Sequence, residues 1–202
     1  MCKNVRSFIK LIISADKLEE FERIGYMIRE IWDSYDKDGN KLGFDHLRGE
    51  PFPKGVYHIV VEIYTITENN EVLITKRHQD KPWALKWEIT GGSILKGETS
   101  EQGAIRELKE ETGIEVEDSD LNFMYSYVYK DFPSIFKCYL TFINKEKTKI
   151  ILQEGETIDY RYITYNEFKQ FIKTDSFVAP ITERFCVHEK LFDTIIYCKL
   201  RG

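Results

Sequence analysis

Apolar and polar positions alternate along this chain at two different periods, and each change of period marks an element. Leu18, Phe21, Ile24, Ile28 and Ile31 recur at helical spacing behind Asp16-x-x-Glu19, a capping-box pair, so a helix is expected ahead of the main body. Such a stripe must be covered, either by its own domain or by a second subunit. Trp32 to Leu42 holds the turn-forming run Asp36-Lys37-Asp38-Gly39-Asn40 between short apolar segments and predicts a hairpin. His46 to Gly55 contains Pro51 and Pro53 and reads as loop. Tyr57 to Ile66, rich in β-branched and aromatic residues, predicts a long strand. Val72 to Arg77 is its return strand after the turn Glu68-Asn69-Asn70-Glu71.

Further along, Leu121 to Tyr129, Ser134 to Ile143 and Ile158 to Ile163 read as strands. The second sets Ile135, Lys137, Tyr139 and Thr141 against Phe136, Cys138, Leu140 and Phe142 at period two. Thr164-x-x-Glu167 opens a helix running to about Lys173. After Pro180 a last helix is expected from Thr182 to Leu200, with Phe185, Leu191, Phe192, Ile195 and Ile196 as its apolar positions. Strands on both sides of a central helix, with further helices later, indicate an α+β sandwich rather than alternating βαβ units.

That central helix lies between two glycine signals. Gly91-Gly92 follow the run Trp87-Glu88-Ile89-Thr90, and Gly113 suits the left-handed turn that closes a helix. Thr99-x-x-Gln102 is a capping box, so the helix is predicted over Ser100 to Thr112. Ala104, Ile105 and Leu108 fall on one side. Glu107, Glu110 and Glu111 gather on another, near the C-terminus, where both like charge and the helix dipole oppose them. For an isolated E-x-x-E-E, a solvated face relieved by Lys109 is the ordinary reading. Here a glycine turn, Glu98, Arg106 and a closing glycine accompany it, and a cation is expected. Magnesium takes oxygen ligands and leaves room for substrate phosphates.

Composition narrows the setting. The chain has 202 residues, 42% hydrophobic and 31% charged, which suits one domain with room for an extension. We divide it into an N-terminal helical extension, 1–30, and a catalytic domain, 31–202. A net charge of −5 disfavours a nucleic-acid groove and suits a small phosphorylated substrate. Cys2, Cys138, Cys186 and Cys198 form no zinc-like spacing and are expected as inert thiols. FIKLIISA lacks a signal-peptide core, no stretch is long enough to span a membrane, and a cytoplasmic location is expected. Asp36-x-Asp38-Gly39 is not a calcium loop, since the closing glutamate is missing. Arg77 at a strand end and Lys81 and Lys86 beyond it are cations beside the glycine turn. Lys81 and Lys86 read as solvated surface charge, Arg77 is the candidate for substrate phosphate, and Trp83 fits stacking on a planar group and packing against the loop equally well.

Gly92, Glu98 and the run Arg106-Glu107-Leu108-Lys109-Glu110-Glu111-Thr112-Gly113-Ile114, at their spacing, resemble the full Nudix box without departure. RGEPFPKGVYHIVVEIYTITENNEVLITKRH is similar to the stretch ahead of the box in the isopentenyl-diphosphate-isomerase-like branch of that family. The resemblance implies a Nudix α/β/α sandwich with a mixed sheet and a hydrolase of pyrophosphate bonds that needs magnesium or manganese. By position, Glu107, Glu110 and Glu111 would be metal ligands, joined by the Gly91 carbonyl, with Glu110 and Glu111 also catalytic. Glu98 and Arg106 would pair and hold the loop against the helix. His58 would line the pocket, although a strand histidine satisfied within the fold fits as well. Glu156 is the candidate for a glutamate from outside the box, acting as base or ligand.

Two alternatives stay open: an isomerase of isopentenyl diphosphate and a non-catalytic nucleotide sensor. The isomerases use a cysteine on the strand before the box, and no cysteine lies between Cys2 and Cys138. Sensors commonly lose box carboxylates, which are intact here. A small-molecule diphosphate is the expected partner, without nucleic acid or membrane, for a monomer or homodimer.

Overall fold

The computed structural model describes residues 30–129 and 132–199. The expected helix over 18–28 lies outside them, and Ile31, the last residue of its stripe, opens a strand instead. That strand, β1 (Ile31–Tyr35), pairs antiparallel with β2 (Lys41–Leu47) as the expected hairpin. Asp36 closes its turn by accepting from the backbone N–H groups of Asp38 and Asn40, both at 2.9 Å.

The long strand β3 (His58–Thr67) is the centre of the molecule. It runs parallel to β8 (Ser134–Ile143) in unbroken register from His58 opposite Ser134 to Thr67 opposite Ile143. β7 (Asn122–Tyr129) is antiparallel on the far side of β8. β4 (Glu71–Arg77) returns from β3 and carries β9 (Thr157–Thr164).

The run Trp87 to Thr90 and the glycines after it form two short strands. β5 (Trp87–Glu88) pairs with β4, whereas β6 (Thr90–Ser93) pairs with β3. The chain changes partner at Ile89, and this crossing carries the glycines from one half of the sheet to the other.

Because side chains alternate along a strand, β3 serves two cores. Ile59, Val61 and Ile63 face helix α1 (Ser100–Thr112), packing with Ile94, Ala104 and Leu108. Tyr64 and Ile66 face α2 (Tyr165–Phe171) and α3 (Ala179–Lys199), packing with Phe168, Phe185 and Phe192. The result is the expected α+β arrangement, a mixed sheet between helical layers. α3 begins earlier than its sequence suggests, with Pro180 inside the first turn, where its missing N–H has no intrahelical acceptor to lose. Among the described residues no helix is long and apolar enough to cross a membrane.

Candidate active site

Two close approaches place the glycine turn. A Cβ on Gly91 would lie 2.4 Å from the Val61 carbonyl oxygen, and one on Gly92 would lie 2.3 to 2.4 Å from the carboxyl atoms of Glu107. At Gly91 only bare backbone fits against β3, whereas at Gly92 a methyl would displace the Glu107 carboxylate. Helix α1 is fixed at both ends. The Gln102 N–H donates to Thr99 Oγ1 at 3.2 Å, and the Thr99 N–H donates to Gln102 Oε1 at 2.9 Å. At the other end Gly113, at φ 72°, donates to the Lys109 carbonyl. Tyr139 on β8 ties the first turn down, donating to Glu101 at 2.7 Å, with the Ser100 hydroxyl 2.8 Å from its oxygen.

Arg106 ties the loop before the helix to the helix itself. Its Nε and Nη2 donate to the two carboxylate oxygens of Glu98, and Nη2 also reaches the Ser93 carbonyl at 3.0 Å. The Leu95 N–H donates to Glu98 at 2.7 Å. Burial pushes the Glu98 carboxyl up, but these donors outweigh it and hold the group below the usual range. The remaining guanidinium nitrogen, Nη1, donates to Glu107 at 2.9 Å and Glu110 at 3.0 Å. One arginine therefore orders three acids.

Glu111 is different. It is 5% exposed, and its Oε2 has no hydrogen-bond partner among the described residues. Burial first, and then the nearby charges of Glu88 and Glu107, push its carboxyl well above the ordinary range. Burial also raises Glu107, against the pull of Arg106. Like charges brought together out of water, with one oxygen unpartnered, are the arrangement that a cation would relieve. No group of three acidic, histidine or cysteine side chains converges on one point among the described residues. That is compatible with magnesium, which is held by one or two carboxylates and completed by water and substrate phosphate. The donor set is all oxygen, and it fits such an ion.

These groups line a cavity of about 260 Å³ that holds Gly91, Arg106, Glu107, Glu110, Glu111 and Glu156. Arg77 also lines it, donating through Nε to the Pro82 carbonyl at 2.6 Å and pairing with Glu88. Glu156 forms an ion pair with Lys81, an association the sequence did not announce. A second compartment of about 300 Å³ adjoins the first and shares Val60, Arg77 and Gly91 with it. Trp83 stands on the second compartment, 49% exposed.

Glu98 lies behind Arg106 and outside both cavities, where it positions the arginine. His58 lines neither cavity. Its ring stacks on Trp32 at 4.4 Å and Phe52 at 5.1 Å, and Nδ1 lies 3.3 Å from the Pro133 carbonyl. The fold thus uses this histidine as packing. Sequence reading missed Glu62, Glu88 and Arg184, all of which line the second compartment. The available signal was a glutamate inside each of two apolar strands.

Residues 56–185 match the model of the NUDIX domain. An uncharacterized Nudix hydrolase of Listeria monocytogenes is 34% identical over 153 residues, 74% of this chain and 88% of that protein. The 8-oxo-dGTP diphosphatase of Escherichia coli is 45% identical over 64 residues, 32% of this chain and 50% of that one. Among solved structures, DR0079 from Deinococcus radiodurans superposes with a TM-score of 0.62 at 19% identity, covering 77% of this chain and 98% of that chain.

Proposed function

The chain belongs to the NUDIX family, and from that premise we propose that it is a metal-dependent hydrolase of a pyrophosphate bond in a nucleoside diphosphate derivative or related organic diphosphate. The observation that carries this reading is the buried, half-partnered carboxylate of Glu111, in one cavity with Gly91, Glu107 and Glu110. Glu107, Glu110, Glu111 and the Gly91 carbonyl would hold magnesium or manganese between them, any one ion taking one or two of the carboxylates. When bound, the ion neutralises the diphosphate and makes water a better nucleophile.

The chain's own groups do the rest. Arg77 stands where the two cavities meet and takes non-bridging phosphate oxygens, its Glu88 partner fixing the guanidinium. Arg106 keeps Glu107 and Glu110 facing the cavity. Water attacks phosphorus in line, the bond from phosphorus to the bridging oxygen breaks, and the departing phosphate takes that electron pair. The proton lost by water passes to a carboxylate, for which Glu156 is our assignment. Lys81 pairs with that carboxylate and fixes its place at the cavity wall.

The test is a panel of nucleoside diphosphate derivatives incubated with magnesium, following release of phosphate or of a nucleoside monophosphate. Metal-dependent release is expected. Isomerisation of isopentenyl diphosphate to its allylic isomer, seen by NMR with wild-type protein and not with Glu111→Gln, would overturn the assignment. Cys138, the thiol of β8, is buried, and burial pushes it well up, so it is unsuited to carbon acid–base chemistry.

A further inference from the structure

Glu62 and Arg184 form an ion pair for which the hydrolytic chemistry has no use. Glu62 comes from β3 and Arg184 from the start of α3, and their side chains are 4% and 3% exposed. Arg184 Nε donates to both carboxylate oxygens, at 3.0 and 3.1 Å, and Nη2 donates to Oε1. The guanidinium carbon lies 3.7 Å from the centroid of the Phe136 ring. The third nitrogen, Nη1, is buried and has no acceptor among the described residues.

A buried ion pair is a weak stabiliser, and an unmet donor within it weakens it further. For stability alone, an apolar pair would serve this position better. Both residues also line the second compartment, whose walls include Trp83, Tyr129, Phe132 and Phe136. Since that compartment opens beside Arg77 and Gly91, it receives whatever group a diphosphate held at the acidic cavity carries.

We infer that Arg184 is a specificity-determining residue, donating through Nη1 to a carbonyl oxygen on a flat, uncharged ring of the substrate. The inference rests on the hydrolase reading for where the diphosphate lies, and it adds the chemical class of the group at the other end. Glu62 cancels the guanidinium charge, so the compartment does not draw a further phosphate. An aliphatic chain would leave the donor unmet. A ring between aromatic walls with an acceptor on its edge meets both conditions.

Inosine and purine riboside differ at the ring carbonyl, which makes them the probe pair. Binding of each nucleoside is measured by calorimetry, and kcat/KM of each triphosphate with magnesium. The wild type is expected to prefer inosine and its triphosphate by at least about tenfold, because a site built for an acceptor rejects the analogue lacking it. Glu62→Leu with Arg184→Met removes both charges together and strands neither. In that variant the preference falls towards unity. If it does not fold, Arg184→Lys keeps a charge opposite Glu62 without the fork and is also expected to lose the preference. Equal or absent affinity for the two nucleosides in the wild type overturns the inference, as does an undiminished preference in a folded variant. Nucleoside binding needs no turnover, so the two readings fail separately. Selective inosine binding without any hydrolysis refutes the hydrolase, and metal-dependent hydrolysis without selective binding refutes the ring subsite.

Discussion

Arg106 grips Glu98 with two nitrogens on two oxygens, Nε to Oε1 at 2.7 Å and Nη2 to Oε2 at 3.0 Å. The pair joins the loop after the glycine turn to the second turn of the helix, and its geometry demands a planar fork. Lysine cannot reproduce it. Arg106→Lys should therefore lose most of the turnover even where the protein remains folded. Glu98→Ala should lower stability by about 2 kcal/mol, since it also orphans the Leu95 N–H. Urea unfolding alongside a hydrolysis assay checks both. Wild-type activity in a folded Arg106→Lys protein would deny the pair its positioning role.

Divalent cation should raise the thermal midpoint, because a ligand that binds only the native state stabilises it, by about 2.7 kcal/mol at a hundred times its dissociation constant. Glu111→Gln removes a buried carboxyl whose charged form burial and the neighbouring acids disfavour. The variant is expected to be the more stable protein without metal and to show no rise with it. A thermal shift measured with and without millimolar magnesium or manganese separates these effects. A midpoint indifferent to both ions counts against the metal site.

Gly92→Ala tests the close approach of turn and helix. The new methyl meets the mobile tip of Glu107 rather than backbone, so the fold should survive with a loss below about 1 kcal/mol. The displaced carboxylate should lower kcat by roughly a hundredfold. Comparable losses of stability and activity would mean that the glycine serves packing alone.

His58 gives a pH signature. Burial lowers its pKa from 6.5 to about 4. Above pH 6.5 the ring is neutral in both states and contributes nothing. Below it the unfolded chain takes a proton that the folded site refuses, so stability falls as the pH drops from 6.5 to about 4, by up to about 3 kcal/mol. His58→Phe should remove that share of the slope, read as the difference between two stability–pH curves. Parallel curves would place the acid sensitivity elsewhere.

Removal of residues 1–30 is expected to lower stability or change the oligomeric state while leaving metal-dependent hydrolysis detectable. All acids of the cavity from the central helix lie far beyond that segment. A folded truncation that binds metal and turns nothing over would make the extension part of the active site.

Much of the frame that carries the candidate site was legible in the sequence, because its signals are local. Thr99, Gln102 and Gly113 state the two ends of α1 in side-chain chemistry that acts over three or four residues. The period of β8 is equally local. What sequence reading missed depends on distant partners. Nothing near Glu62 indicates that Arg184, 122 residues away, will neutralise it. Nothing near Ile89 indicates that the chain will leave β4 for β3 at that point. His58 looks the same in sequence whether it meets a substrate or Trp32.

The parallel pairing of β3 with β8 has a consequence for how the protein is made. His58 and Ser134 are 76 positions apart, so β3 leaves the ribosome long before its neighbour exists. Until then α1 can cover the face of Ile59, Val61 and Ile63, but the face of Tyr64 and Ile66 waits for α2 and α3, which come later still. Pairings this remote form slowly, since a long loop must close before any contact repays it. A nascent chain halted before Ile143 is therefore the form most exposed to aggregation and most in need of a chaperone.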